Sequence, residues 1–228
     1  MSKMIVSSGR ALGVVSLVVG VLLLAACKSS TDAQVRKLQA RALYEQGLKH
    51  LADKQVAQGY ASLKQSVDLD PSSATTHNAL GVVLLDLRKP AEAEVEFQKA
   101  VELDPTYAEA VHNLGLAYAE QGRYEQAIVA YRKALSMPIY PTPDVGYYNL
   151  GRAYTQIKKY PEAEEALKTA IQLQPTLGPA YYQLGVVFAS TGKVEEAKAA
   201  FRRARDLDPG SPFGQAAVEA LRKLGEGG

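Results

Sequence analysis

A glycine recurs along this chain at a near-constant interval, and this repetition constrains the fold more than any other feature. Gly47, Gly81, Gly115, Gly151 and Gly185 are separated by 34, 34, 36 and 34 residues, and the last four each follow a leucine. A period of this length is typical of stacked helix–turn–helix repeats, in which each repeat buries its apolar face against its neighbours. The sequence therefore predicts an array of helix pairs, a fold that offers binding surfaces and no built-in chemistry.

The first 26 residues differ from the rest of the chain and resemble a secretory signal peptide. Their only charged residues are Lys3 and Arg10, and residues 11–26 (ALGVVSLVVGVLLLAA) then run without a charge. This apolar run is shorter than the roughly 20 residues that a comfortable membrane-spanning helix needs. A basic start, an apolar middle and small residues before a cleavage site are typical of a signal peptide, which we predict at residues 1–26.

Residues 24–27 (LAAC) resemble the bacterial lipoprotein box, in which the cysteine becomes the first residue of the mature protein. The resemblance implies that Cys27, the one cysteine of the sequence, carries a diacylglyceryl thioether and an N-linked acyl chain such as palmitate. A plain signal peptide with an accidental cysteine is the alternative. Several acyl chains give a stable anchor, because each buried CH₂ contributes about 0.8 kcal/mol. Lys28 follows the cysteine, where an aspartate favours inner-membrane retention in enterobacterial lipoproteins, so the lysine resembles the outer-membrane pattern. We therefore expect a lipid-anchored protein on the periplasmic face of the outer membrane.

The segment after the cysteine is polar and lacks apolar periodicity. Residues 28–33 (KSSTDA) predict a short tether, which would reach roughly 20 Å if it were extended. We assign residues 27–39 to the lipidated cysteine and this tether, which would keep the body of the protein close to the membrane.

Charge and cysteine content exclude several classes of function. Residues 1–26 hold two of the 26 basic residues and none of the 24 acidic ones, so a chain that begins at Cys27 has no net charge. A nucleic-acid partner is therefore not expected, because such proteins carry a basic excess. With a single cysteine, the fold has no disulfide and no cysteine-ligated metal. We predict no cofactor.

The repeats resemble tetratricopeptide repeats, whose pattern is Trp-x₂-Leu-Gly-x₂-Tyr, then Ala-x₃-Phe, then Ala and Pro. The last repeat follows this pattern with residues 181–188 (YYQLGVVF) and 197–201 (AKAAF), followed by Ala204 and Pro209. The resemblance implies an all-α tetratricopeptide-repeat solenoid. We place its repeats at 40–73, 74–107, 108–141, 144–177 and 178–211, with a capping helix and tail at 212–228.

One junction in the array is irregular. Residues 137–143 (MPIYPTP) lengthen one interval by two residues, and their three prolines exclude a regular helix. The second helix of the third repeat should therefore end near Met137. A longer turn is one interpretation; an exposed contact loop with Ile139 and Tyr140 at its tip is the other.

In the tetratricopeptide family, certain positions of the first helices line a concave groove that binds partners. Aliphatic and tyrosine side chains predominate at these positions here, and an apolar patch of this kind is typical of a partner site. Packing within each repeat is the alternative for some of them. The residues predicted to line the groove are Tyr44, Leu48, Asn78, Val82, His112, Leu116, Tyr148, Arg152, Tyr182 and Val186.

Chaperone-binding relatives hold a peptide carboxylate with a clamp of lysines and asparagines. That clamp is absent here, because the ninth residue of four repeats is aliphatic and Arg41 is the only base at the second residue of a repeat. We therefore expect an apolar helix or strand as ligand rather than a carboxylate-terminated peptide. No catalytic constellation is present either. His50, His77 and His112 fall in different repeats without shared spacing, and no phosphate-binding loop or metal-ligand motif occurs. The prediction is a protein that is not an enzyme, with no small-molecule substrate.

A lipoprotein built of these repeats resembles the pilotins of type IV pilus systems, which carry a secretin to the outer membrane and assist its multimerisation. The resemblance implies a role in type IV pilus biogenesis and twitching motility, with the secretin subunit as protein partner. The alternative is an envelope scaffold that gathers peptidoglycan enzymes or proteases through protein–protein interaction.

Overall fold

The computed structural model describes residues 9–225, with side chains from residue 31 onwards. This described part contains eleven α-helices and no strand, which confirms the predicted all-α class. The chain divides into two compact units between Ser72 and Ser73. Within the described residues, no helix is both long enough and apolar enough to cross a membrane.

The first unit is a pair of helices, α1 (Gly9–Ala52) and α2 (Val56–Leu69). Gly47 lets the two helices approach closely, because a Cβ at this position would lie 2.9 Å from Cγ of Leu63. Leu63 is fully buried in this contact. The Ser66 hydroxyl donates a hydrogen bond of 2.7 Å to the carbonyl oxygen of Ala40, seven residues before Gly47 on α1, and so joins α2 to α1 at a second point.

The segment expected to form an extended tether is helical in the structure. Residues 28–39 belong to α1, which runs without a break into the first repeat. Neither glycine nor proline occurs between Lys28 and Gln46, so the backbone meets no residue that would end a helix. A helix rises about 1.5 Å per residue, so six residues span about 9 Å rather than 20 Å. The predicted lipidation of Cys27 concerns a residue that lies outside the described side chains.

The second unit is built from four helix pairs and a final helix. The bounds are α3 (Ala74–Asp86) with α4 (Pro90–Leu103), α5 (Ala108–Glu120) with α6 (Tyr124–Leu135), α7 (Pro143–Gln156) with α8 (Tyr160–Leu173), α9 (Gly178–Ser190) with α10 (Val194–Leu207), and α11 (Pro212–Lys223). We call α3, α5, α7 and α9 the A helices, because each is the first of its pair.

The recurring glycine is the point of contact within each pair. A Cβ at Gly81 would lie 2.6 Å from the ring of Phe97, and a Cβ at Gly115 would lie 2.6 Å from the ring of Tyr131. Both rings are almost fully buried, at 0% and 1% exposure. Any side chain larger than hydrogen would push the second helix away from the first. The 34-residue periodicity therefore records a repeated close approach of two helices.

The turn inside each helix pair contains one residue in the left-handed region of backbone conformation. Glycine occupies this place at Gly122 (φ 74°) and Gly192 (φ 76°), whereas the other turns use Lys54, Arg88 and Lys158 with φ near 60°. Left-handed φ values are strained for residues that carry a Cβ. The turns therefore differ in strain although their helices are equivalent.

The proline-containing junction and the last helix complete the second unit. Helix α6 ends at Leu135, two residues before Met137, and α7 begins at Pro143. At the other end, the Ser211 side chain accepts a hydrogen bond of 3.0 Å from the Gly214 backbone N–H and so caps α11. Ala217 and Leu221 of α11 join the core formed by α9 and α10.

Candidate functional site

Two of the predicted groove residues lie in the first unit, on α1. Leu48 is 41% exposed, which is a large fraction for a leucine, and Tyr44 is half-buried. Both are available to a partner at the surface of this helix.

The A helices of the second unit carry the other predicted groove residues, and the exposure of these residues varies. Val82 on α3 is 38% exposed and Arg152 on α7 is exposed. Leu116 on α5 and Val186 on α9 are half-buried. Each of these four residues is the ninth residue of its repeat, and all four retain some accessible surface.

Asn78 is buried and engaged within the chain. It is 4% exposed. Its Nδ2 donates to the Tyr107 hydroxyl at 3.0 Å, and its Oδ1 accepts a hydrogen bond of 2.9 Å from Nδ2 of Asn113. These bonds join α3 to α5, since Asn113 lies on the next A helix. A side chain that connects repeats in this way also has a structural role, which its position in the sequence did not reveal.

His112 is also buried, and it connects three segments. It is 5% exposed. Asn149 on α7 lies with Nδ2 3.3 Å from His112 Nε2, and the Tyr140 hydroxyl lies 2.7 Å from His112 Nδ1. The Asn149 oxygen faces Nη1 of Arg152 at 3.5 Å, so the Asn149 amide group donates to Nε2. His112 is then the tautomer that carries its proton on Nδ1 and donates to Tyr140.

Burial dominates the titration of this cluster. It lowers the pKa of His112 from 6.5 to about 4, because the imidazolium loses its hydration. Burial likewise raises the pKa of Tyr140 to about 12. At neutral pH both side chains are therefore uncharged, which suits a hydrogen bond between them.

The junction divides its two candidate contact residues. Ile139 is 86% exposed and forms the tip of the junction. Tyr140 instead turns inward, where its ring lies 5.6 Å from the ring of His112 and would be 2.6 Å from a Cβ at Gly146. Of the pair predicted for an exposed contact loop, Ile139 is exposed and Tyr140 is half-buried.

Two further predicted residues, Tyr148 and Tyr182, are half-buried on α7 and α9. The Arg152 guanidinium lies 5.6 Å from the centre of the Tyr148 ring, and burial raises the pKa of Tyr148. The Tyr182 ring is 5.6 Å from that of Phe201 and 5.8 Å from that of Phe213. Both tyrosines thus combine packing with partial access, and their role in binding stays a prediction.

A cavity of about 230 Å³ opens between α5, α6 and α7. Leu116, Ala119 and Ala153 form its apolar wall, and Tyr131 and Arg152 contribute polar groups. Sequence reasoning placed Arg152 in the groove but missed Tyr131, because the repeat pattern assigns its position to helix packing. Within the described residues, no group of histidine, cysteine or carboxylate side chains could hold a metal ion.

Comparison with known proteins is consistent with this architecture. Tetratricopeptide repeat models match residues 72–138, 145–177 and 178–211. No curated protein sequence matches the chain.

Several solved structures share the fold. PilW, a widely conserved type IV pilus biogenesis factor, is 20% identical and superimposes with a TM-score of 0.75 over 82% of this chain and 86% of its own. PilF of Pseudomonas aeruginosa is 24% identical, with a TM-score of 0.67 over 85% of this chain and 95% of its own. MamA is 27% identical, with a TM-score of 0.64 over 72% of this chain and 94% of its own. From the repeated glycine-centred helix pairs and the three matching models, we conclude that the chain belongs to the tetratricopeptide repeat family.

Proposed function

We propose that this chain is an outer-membrane lipoprotein that acts as a pilotin, assisting the localisation and multimerisation of a type IV pilus secretin. The observation that carries the proposal is the similarity of its fold to PilW, a type IV pilus biogenesis factor, over most of both chains. PilF supports it with a second similar fold. The repeats bind the secretin subunit, and the chain itself performs no catalysis.

The anchor is the first part of this proposal. Residues 24–27 (LAAC) carry the lipoprotein box, and acylated Cys27 would hold the protein at the periplasmic face of the outer membrane. Replacing this cysteine by serine removes the thiol that accepts the diacylglyceryl group but keeps the side-chain size. We expect Cys27→Ser to move the protein from the membrane fraction to the soluble periplasmic fraction. Unchanged membrane partition would contradict the lipoprotein assignment.

The second part of the proposal is that the chain assists the assembly of the secretin. If the chain is a pilotin, its deletion leaves secretin monomers synthesised but poorly assembled, and surface pili and twitching motility are lost. The measurement is the amount of heat-resistant secretin multimer in outer-membrane fractions of the deletion strain. Complementation with the wild-type gene should restore the multimers, and complementation with Cys27→Ser should not restore their outer-membrane location.

The same experiment separates the proposal from its alternative. A deletion strain with normal secretin multimers would rule out the pilotin role. It would favour an envelope scaffold that gathers peptidoglycan enzymes or proteases, with the exposed Leu48 of the first unit and the exposed Val82 of the second unit as separate candidate contacts.

A further inference from the structure

Helix α1 has an apolar side that faces away from the other helix of its pair. Val35 is 51% exposed, Leu38 is 61% exposed, and Ala42 is exposed on the next turn. Each residue turns an α-helix by about 100°, so these three side chains share one side of α1. Ala40 and Gly47, which are buried and contact α2, lie on the opposite side. The packing of the pair therefore leaves this apolar side uncovered.

The apolar side begins in a segment of α1 that extends past the end of α2. The hydrogen bond from Ser66 to Ala40 lies only three residues before α2 ends at Leu69. Because the two helices run antiparallel, α2 can cover few residues of α1 before Ala40. Residues 31–39 are accordingly exposed, apart from the half-buried Ala33. A flat surface can therefore approach this segment without meeting α2.

The charge of the chain is distributed unevenly, and its basic part coincides with this segment. Residues 28–41 contain four basic residues and one acidic residue, a net charge of +3, whereas residues 42–228 carry a net charge of −3. Arg36 and Lys37 are exposed and lie on opposite flanks of the apolar side. Arg41 pairs at 3.1 Å with Glu45, where the apolar side ends. An anionic surface therefore attracts this segment more than the rest of the chain.

A phospholipid surface matches both features. A helix with apolar residues on one side and basic residues on its flanks lies in the plane of a bilayer, with its apolar side chains at the boundary of the acyl chains. Long basic side chains reach from the flanks to the lipid phosphates. Val35 follows Cys27 by eight residues, which is about 12 Å along a helix. An anchor at this cysteine would therefore hold the segment within reach of the headgroups.

We propose that residues 31–42 of α1 lie along an anionic phospholipid surface, with Val35 and Leu38 inserted at the acyl-chain boundary and Arg36, Lys37 and Arg41 at the lipid phosphates. This inference rests on the lipoprotein part of the proposed function, because the anchor supplies the membrane. Two inserted side chains bind weakly by themselves, and the anchor strengthens the contact by making it intramolecular. The segment thereby orients the first helix pair, which an acyl anchor alone leaves free to rotate.

The single cysteine and the lack of tryptophan in this sequence allow a direct test. The chain from Cys27 to Gly228 with Leu38→Trp is coupled through the Cys27 thiol to a maleimide lipid. The vesicles contain phosphatidylglycerol and phosphatidylcholine brominated on its acyl chains, so that bromine quenches any inserted tryptophan. We expect quenched and blue-shifted emission. Val129→Trp is the matched control, because Val129 is 68% exposed on α6, outside the segment, and it should show neither effect.

Further variants separate the charged from the apolar contacts. In the Leu38→Trp chain, Lys37→Gln should lower the ratio of inserted to uninserted protein about fivefold, because it removes one basic side chain from an anionic surface. Val35→Ser should lower the ratio about tenfold, because it removes an inserted apolar side chain. Lys64→Gln is the control for charge, since Lys64 is exposed on α2, and it should leave the ratio unchanged. Thermal melting of each variant checks that the fold is retained.

Three results would overturn the proposal. Unquenched emission from Leu38→Trp would show that the apolar side does not insert, and would leave it available to a helix of a protein partner. An unchanged ratio in Lys37→Gln would exclude the contact with lipid phosphates. An equal loss in Lys64→Gln would show general attraction of positive charge.

This test is independent of the proposed function in its outcome. The anchor is attached chemically, so the fluorescence does not depend on whether a cell acylates Cys27. Unquenched emission would leave the fractionation of Cys27→Ser and the secretin experiment unaffected. Quenched emission together with unchanged membrane partition of Cys27→Ser would instead keep the lipid contact and remove the lipoprotein assignment.

Discussion

Acidification should destabilise this protein through His112, and the size of the effect follows from its surroundings. His112 is 5% exposed, and burial lowers its pKa from 6.5 to about 4. The groups that face it are Tyr131, Tyr140 and Asn149, none of which is an anion at neutral pH, and Arg152 lies beyond Asn149. Among the described residues, none that contacts the ring is a carboxylate that could pair with an imidazolium.

The direction of this pH dependence follows from the number of protons that the folded and unfolded states bind. Between pH 6.5 and pH 4 the unfolded chain binds a proton at His112 and the folded chain does not. The free energy of unfolding therefore decreases as the pH falls through this window. One pKa unit corresponds to about 1.4 kcal/mol, so the full effect is about 3 kcal/mol, of which about 2 kcal/mol is lost between pH 7 and pH 5. Such a loss is a large fraction of a typical stability of about 5–15 kcal/mol.

Urea unfolding followed by circular dichroism at pH 7 and pH 5 measures this loss. In His112→Gln, the difference in free energy of unfolding between the two pH values should be smaller than in the wild type by about 2 kcal/mol. His50→Gln is the matched control, because His50 is only half-buried and bonds to Gln55 at 2.7 Å on the surface of the first unit. An unchanged acid response in His112→Gln would refute the reasoning, as would an equal reduction in His50→Gln.

Three other substitutions test packing, exposure and charge. Gly81→Ala should lower the free energy of unfolding by about 1–3 kcal/mol in urea titrations, because its Cβ would lie 2.6 Å from the Phe97 ring; unchanged stability would contradict this contact. The double variant Leu48→Glu and Val82→Glu should change it by about 0.5 kcal/mol per site or less, since both side chains are exposed; a large fall in melting temperature would show that they belong to the core. Glu164→Gln should lower the free energy of unfolding by up to about 1 kcal/mol, because this carboxylate accepts hydrogen bonds of 2.6 Å from Lys168 and 2.9 Å from Lys193. This loss should become smaller in 1 M salt, which screens ion pairs. A loss that does not depend on salt would point to packing instead.

The helix pairs of the second unit could be predicted because their cause is local and repeated. A glycine at a fixed interval, with a large side chain 16 residues later as in Gly81 and Phe97, describes the close approach of two helices within one repeat. The contact of Tyr140 with His112 could not be predicted in this way. It joins residues 28 positions apart, and one of them lies in a proline-containing junction that has no periodicity.

Two other features depend on signals that the repeat pattern hides. The helical course of residues 28–39 follows from the lack of glycine and proline, whereas polarity alone indicated a tether. Tyr131 lines the cavity between α5, α6 and α7, although the repeat pattern assigns its position to helix packing. The repeat pattern records only the size of a residue at this position and carries no information on its polar atom.

The turn residues with left-handed backbone conformation are sites where a single substitution could raise the stability of this protein. Arg88 and Lys158 hold φ near 60°, where a residue with a Cβ is disfavoured by roughly 1 kcal/mol or more. Glycine occupies the equivalent place at Gly122 and Gly192. A single substitution at either strained turn is therefore a route to greater stability, and gains at well-separated turns should add. A lineage that acquired them could tolerate destabilising changes on its binding surface, and so explore new partners without losing its fold.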